Sequence, residues 1–205
     1  SSDLIGVTIE TAGKDHMSEG GSHDISSAIC NKVLNYPVPF AFPYEFFLLG
    51  GRKMSSSKGL GSSARDMYNL LPPEVLRFLL ARPRYNQAID FDPGSWTIPD
   101  LFDEYDRCAR AYYRKKKSDF GRIFELSQID KSPTKQPFYP RFREVANYLQ
   151  MPNIDLVRHF EEVKGESLTS FEKELLKERV HYAKIWLKDH APPEAVFSIS
   201  MKLPQ

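Results

Sequence analysis

The 205-residue chain has little cysteine: Cys30 and Cys108 are its only two, and neither has a close Cys or His partner at ligand spacing. That excludes a disulfide framework and a Cys-rich zinc site, so no metal-ligating residues are expected, and it fits a reducing compartment. No apolar run approaches the ~20 residues that span a bilayer. The start, Ser1-Ser-Asp-Leu-Ile-Gly6, lacks the basic-then-apolar order of a signal peptide. A one-sided charge is missing too, since 28 Lys and Arg face 27 Asp and Glu for a net charge of +1. Any surface for nucleic acid must therefore be local. There is no internal repeat and no low-complexity tract. With 41% hydrophobic and 27% charged residues, the composition is globular rather than disordered. A soluble cytoplasmic protein is expected.

What is present changes character along the chain. Leu4 to Ile9 is a β-branched run suited to a buried strand, with Glu10 to His16 as the loop that follows it. Asp24 to Leu34 reads as a helix with Ile25, Ala28, Ile29 and Val33 on one face. Pro37, Pro39 and Pro43 resist helix, and Tyr44 to Leu49 reads as a second strand closed by Gly50-Gly51. Strand, loop, helix and strand in that order predict part of a parallel sheet. Two strands are too few to stand alone, so further strands are expected from sequence preceding Ser1.

From Ser62 onward the pattern is helical. Pro72 to Ala81 starts on prolines and stops before Pro83. Thr97 resembles the start of a long helix to about Lys117, with Leu101, Tyr105, Cys108 and Tyr112 on one face. Residues 140–150 and 153–163 are shorter amphipathic candidates. Thr169-Ser-Phe-Glu172 fits a capping box ahead of Leu175, Leu176, Val180, Ala183 and Leu187. The fold class expected is α/β at the N-terminus, then an all-α helical region. The expected domains are 1–61, 62–136 and 137–205.

Two constellations carry possible chemistry. Lys53-Met54-Ser55-Ser56-Ser57-Lys58 lies between Gly50-Gly51 and Gly59, and its ammonium groups and hydroxyls suit phosphate oxygens. It lacks P-loop spacing, and by composition alone a polar surface linker is the better fit. The other is Gly13-Lys14-Asp15-His16 followed by Gly20-Gly21-Ser22. A loop at the carboxyl end of a parallel strand is where open α/β sheets bind ligands. Asp15 can accept from a ribose hydroxyl and His16 can line a pocket. A turn-capping Asp and a surface His are the plainer alternative.

Together these words resemble class I aminoacyl-tRNA synthetases. Lys53-Met-Ser-Ser-Ser57 is similar to that class's Lys-Met-Ser-Lys-Ser loop. The Gly13-Lys-Asp-His16, Gly20-Gly-Ser22, Tyr44-Glu-Phe-Phe47 and Gly51-to-Gly59 words resemble class I lysyl-tRNA synthetase more narrowly. Residues 72–82 and Ile89-Asp-Phe-Asp92 continue the likeness, which covers residues 3 to about 110.

The resemblance implies the second half of a Rossmann-type nucleotide-binding fold that forms lysyl-adenylate from lysine and ATP with Mg²⁺. The lysyl group then passes to tRNA(Lys), which the helical region contacts. On matching positions Gly13, Asp15, Met54, Ser55 and Ser57 would serve ATP, and His16 and Tyr44 the lysine. Lys53, Ser56 and Lys58 would be catalytic. Ser56 stands where the class has a lysine, with Lys58 two residues on as its substitute. The class's His-Ile-Gly-His signature is absent, so this stretch alone is expected to be inactive. A synthetase for another amino acid, or a tRNA-binding module without catalysis, are the alternatives.

For tRNA the candidate patch is Arg114, Lys115, Lys116 and Lys117, with Arg110, Tyr112 and Tyr113 beside it. A solvated helix end with cations on its C-terminal dipole is the competing reading. Trp96 and Trp186 read as packing residues.

Overall fold

A computed structural model of the chain describes residues 6–53, 64–115 and 118–198, with backbone alone at Lys53 and Ala64. The chain divides into two units, Ser1–Leu48 with Pro83–Asp90, and Leu49–Arg82 with Phe91–Gln205.

In the first unit β1 (Ile9–Gly13) and β2 (Phe40–Tyr44) pair in parallel, from Ile9 opposite Phe40 to Gly13 opposite Tyr44. Helix α1 (Ser22–Lys32) connects them. Of the strand expected at Leu4–Ile9, Leu4 and Ile5 lie outside the described residues and Ile9 opens β1; Glu10 to Gly13, expected as loop, complete the ladder with β2 instead. Pro43 offers no donor, which a strand paired along one edge tolerates. The second expected strand is split: Tyr44 ends β2 and Phe47–Leu49 forms β3.

The helix foreseen from Asp24 to Leu34 is present as α1, and its apolar face is left uncovered. Ile25 is 59% exposed and Val33 72%, with Ala28 and Ile29 exposed as well, while Cys30 alone on this helix is buried. On the strands, Ile9 and Phe40 are exposed too. Two strands have too little surface to cover an amphipathic helix, so the pattern is present without its usual consequence.

Strand β3 turns through Gly50 (φ 55) and Gly51 (φ 74) into β4 (Arg52–Lys53). Positive φ at both central residues is the requirement of a type I′ hairpin turn, whose twist matches its strands. A third strand, β5 (Ile89–Phe91), completes a sheet of order β4-β3-β5. The division between units runs through β3 and β5. The region after residue 62 is therefore helical but not purely so.

Seven helices of the second unit follow: α2 (Ala64–Leu70), α3 (Pro73–Ala81), α4 (Thr97–Tyr113), α5 (Asp119–Ser127), α6 (Phe142–Leu149), α7 (Leu156–Lys164) and α8 (Ser170–Asp189). Here the apolar faces do meet. Phe102 of α4 stacks on Phe142 of α6 with ring centroids 4.3 Å apart. Tyr105 takes Phe78 edge-on at 5.5 Å and Phe124 of α5 at 5.2 Å. Trp186 is 2% exposed, 5.5 Å from Trp96 and 6.0 Å from Phe142, so both tryptophans pack. Offset and edge-to-face rings add to area burial.

The capping box of α8 is complete: Thr169 accepts from the Glu172 amide at 3.3 Å, and Glu172 accepts from the Thr169 amide at 2.8 Å. Glu172 also accepts from Phe138 N and Lys164 Nζ, each at 2.7 Å. Burial works to raise its pKa, but these donors outweigh it and hold the carboxyl at about 2. Two turns on, Arg179 is 1% exposed, an unusual place for a guanidinium. Both its terminal nitrogens pair with Asp106 of α4, one at 2.8 Å. Helical periodicity places apolar residues and says nothing of such a pair.

Helix α4 ends earlier than the Lys117 expected. Lys115 takes a left-handed φ of 52 and donates from its amide to Tyr112 O, closing the helix. Ser118 then caps α5 by accepting from Gly121 N at 3.4 Å, a helix its short, broken apolar pattern did not announce.

Candidate functional site

Gly13, Asp15, His16 and Tyr44 converge at the carboxyl ends of β1 and β2. Gly13 lies opposite Tyr44 in the register, and a Cβ on it would sit 3.9 Å from both the His16 Cδ2 and the Tyr44 Cε2. Glycine thus lets the strand end run close to both rings without a side chain between them. Lys14 to His16 form a single 3-10 turn directly after β1. Lys14 is anchored there: its Nζ lies 2.7 Å from one Glu45 oxygen and 3.0 Å from the other, and 4.8 Å from the Phe46 ring centroid. Asp15 and His16 are exposed, and Tyr44 is 48% exposed, so this face is open to a ligand.

The Gly20-Gly21-Ser22 word joins the turn to α1. Gly20 has φ +75 and donates to Asp24 Oδ2 at 2.9 Å. Gly21 N donates to Ser18 O at 2.8 Å, and Ser18 Oγ to Asp15 O at 2.9 Å. Ser22 Oγ stands 3.1 Å from His16 Nδ1. A hollow of about 330 Å³ opens beside them, lined among others by Glu10, His16, Ser22, His23 and Cys30. Glu10 and His23 were not singled out from the sequence. The signal lay in alternation: Glu10 and Ala12 share a strand face, and Ser22 and Ser26 are one helical turn apart.

Of the other loop, the described part is its entry. The Gly50-Gly51 turn delivers Arg52 and Lys53 on β4. Met54, Ser55, Ser56, Ser57 and Lys58 lie outside the described residues.

In the second unit Arg114 and Lys115 are exposed at the end of α4, while Lys116 and Lys117 lie outside the described residues. The neighbouring tyrosines are engaged: Tyr112 and Tyr113 meet edge-on at 5.2 Å, and Tyr112 lies 5.3 Å from Phe124. Their rings belong to the α4–α5 packing and are poor candidates to stack freely on a base. Elsewhere, Asp103, Glu104, Arg107 and Arg110 of α4, with Arg82 after α3 and Arg141 before α6, line a hollow of about 630 Å³. Its cations are largely committed: Arg82 pairs with Glu104, and Arg141 grips Asp103 through two bonds of 3.0 Å.

Among the described residues no three His, Cys, Asp or Glu side chains gather to hold a metal ion, and no helix is long and apolar enough to cross a membrane.

Comparison with known proteins gives this geometry a context. The chain is 32% identical over 222 residues to the lysine–tRNA ligase of Methanosphaera stadtmanae, covering 98% of this chain and 42% of the relative. It is 35% identical over 206 residues to that of Methanosarcina barkeri, covering 98% and 37%, and 36% identical over 209 residues to that of Pyrococcus furiosus, covering 95% and 39%. The chain therefore spans about two fifths of the length of these relatives. Residues 3–130 match the family model for class I tRNA synthetases (K), and the chain belongs to that family.

Proposed function

We propose that the protein of which this chain forms about two fifths is a lysine–tRNA ligase, which activates lysine with ATP as lysyl-adenylate and passes the lysyl group to tRNA(Lys). The observation that carries this reading is the meeting of Gly13, His16 and Tyr44 at the carboxyl ends of two parallel strands. In this reading β1, α1 and β2 belong to a Rossmann-type catalytic domain within residues 1–61. The uncovered faces of Ile25, Ile29 and Val33 support a larger sheet in the whole protein. Residues 62–136 contact the acceptor stem, and 137–205 begin the anticodon-binding region.

The chemistry asks little covalent work of the protein. The lysine carboxylate attacks the α-phosphorus of ATP and pyrophosphate leaves, so alignment and charge stabilisation carry the catalysis. Gly13 and Asp15 hold the adenosine end. His16 and Tyr44 hold lysine, the tyrosine face suiting an ammonium group. Lys53 and Lys58 neutralise charge growing on the phosphates, with Ser55, Ser56 and Ser57 donating to their oxygens. Magnesium, carried by the triphosphate, would supply positive charge to its oxygens alongside Lys53 and Lys58.

Pyrophosphate exchange by the full-length protein, screened over all amino acids, should respond to lysine alone. A response to another amino acid selects a different synthetase, and no response selects a tRNA-binding module. Lys58→Ala should slow adenylate formation ~100-fold, the cost of one transition-state donor. A pure affinity defect would reject that role.

A further inference from the structure

His16 is held by a neighbour whose chemistry determines what the imidazole can offer. Its Nδ1 lies 3.1 Å from the hydroxyl of Ser22, the first residue of α1. Serine at a helix start commonly caps backbone amides. Here Gly21 occupies the cap position with no side-chain bond, and the Ser22 hydroxyl turns to the imidazole instead. The separation is built in by the backbone. A Cβ on Gly21 would lie 2.6 Å from His16 O and 2.7 Å from Ser18 O, so only glycine lets the helix start press against the turn that carries His16. The bonds from Gly21 N to Ser18 O and from Ser18 Oγ to Asp15 O lock the same turn. Ser22 and His16 line one hollow.

An ammonium group has donors and no acceptor, so a neutral imidazole serves it only through the nitrogen that lacks a proton. Which nitrogen that is depends on the partner of the other. A serine oxygen accepting from Nδ1–H leaves Nε2 bare.

We propose that Ser22 is a positioning residue for the lysine substrate: its hydroxyl accepts from Nδ1–H of His16 and so presents Nε2 as an acceptor to an ammonium group of lysine. The proposal rests on the reading of His16 as a lysine-pocket residue. No bond is made or broken; a tautomer and a ring orientation are selected.

The test uses the full-length protein with Ser22→Ala, Ser22→Thr, His16→Ala and the Ser22→Ala/His16→Ala pair. Lysine-dependent pyrophosphate exchange gives the KM for lysine and for ATP, and nitrogen-15 NMR of labelled histidine gives the His16 tautomer. Ser22→Ala should raise the lysine KM about five- to tenfold, the worth of one hydrogen bond, and move the ATP KM less than about twofold. It should also shift His16 toward the Nε2–H tautomer. Ser22→Thr, which keeps the hydroxyl and the helix start, should restore both. In the His16→Ala background Ser22→Ala should add nothing. An unchanged lysine KM and tautomer in Ser22→Ala, with His16→Ala still weakening lysine, overturns the role of Ser22 and leaves the pocket standing. An equal effect of Ser22→Ala with and without His16 also overturns it, as a structural effect would do that. A His16→Ala variant with unchanged lysine KM removes the pocket reading and the proposal together.

Discussion

Replacing Gly21 with alanine tests how the turn and the helix start are joined. The backbone at Gly21 has φ −73 and ψ 177, open to any residue, so alanine meets no torsional strain. Its Cβ, however, would meet His16 O at 2.6 Å and Ser18 O at 2.7 Å, both backbone atoms that cannot swing aside. Reaching the 3.0 Å that real Cβ contacts respect needs a retreat of about 0.4 Å, which also lengthens the 2.8 Å bond from Gly21 N to Ser18 O. Overpacking of this kind costs about 1–3 kcal/mol, and a weakened hydrogen bond adds up to about 1 kcal/mol. Two neighbours serve as controls. Gly20→Ala meets nothing within 4 Å but carries φ +75, a left-handed penalty of about 1–2 kcal/mol without displacement of His16. Gly13→Ala puts a methyl at ordinary contact, 3.9 Å from two rings, and should leave stability within about 0.5 kcal/mol. Native-state hydrogen exchange of the α1 amides in the full-length protein reads the stability, and pyrophosphate exchange reads the lysine KM. Gly21→Ala should lose the most protection and raise the lysine KM; Gly20→Ala should lose some protection at unchanged KM. Wild-type protection and KM in Gly21→Ala would refute the packing argument.

Three further outcomes follow from the helical unit. Burial, reinforced by the charge of Glu74 and opposed by Arg179, pushes the Glu178 carboxyl from 4.5 up to about 7. The folded state then holds a proton that the unfolded state has released, so stability falls as pH rises from about 4.5 to 7, by at most about 3 kcal/mol. Glu178→Gln should match wild type in urea melts at pH 4 and exceed it by about 1–3 kcal/mol at pH 8; equal gains at both pH values would contradict this. Asp106→Ala strands the buried Arg179 guanidinium and should destabilise by about 3–5 kcal/mol; a loss under about 1 kcal/mol in thermal melts would show that water reaches Arg179. Reversing Arg114, Lys115, Lys116 and Lys117 to glutamate should weaken tRNA binding and flatten its salt dependence, by roughly 0.7–0.9 in slope for each phosphate no longer neutralised. Unchanged filter-binding curves would assign the patch to a solvated helix end.

Much of this protein is written in local order. The capping box at Thr169 and Glu172, the proline start of α3 and the periodic face of α4 arise between residues three and four apart, so neighbours in sequence determine them. The GKDH, GGS and KMSSS words likewise pointed to the family, since each is a short run of consecutive residues that needs no tertiary context to be read. Where β1 runs was decided by its partner, because Glu10 to Gly13 become strand only when Phe40–Tyr44 supplies their hydrogen bonds. The end of α4 at Lys115 and the Arg179–Asp106 pair depend on residues that helical periodicity cannot see; the second spans 73 positions. The nearness of Ser22 to His16 and the approach of His16 and Tyr44 to Gly13 belong to the same class. Periodicity correctly marked Ile25, Ile29 and Val33 as a face that seeks cover, yet whether a face is covered depends on what is folded against it. Sequence names the groups and their local geometry; only the tertiary structure decides which of them meet, because distance through space is set by the packing of elements far apart along the chain.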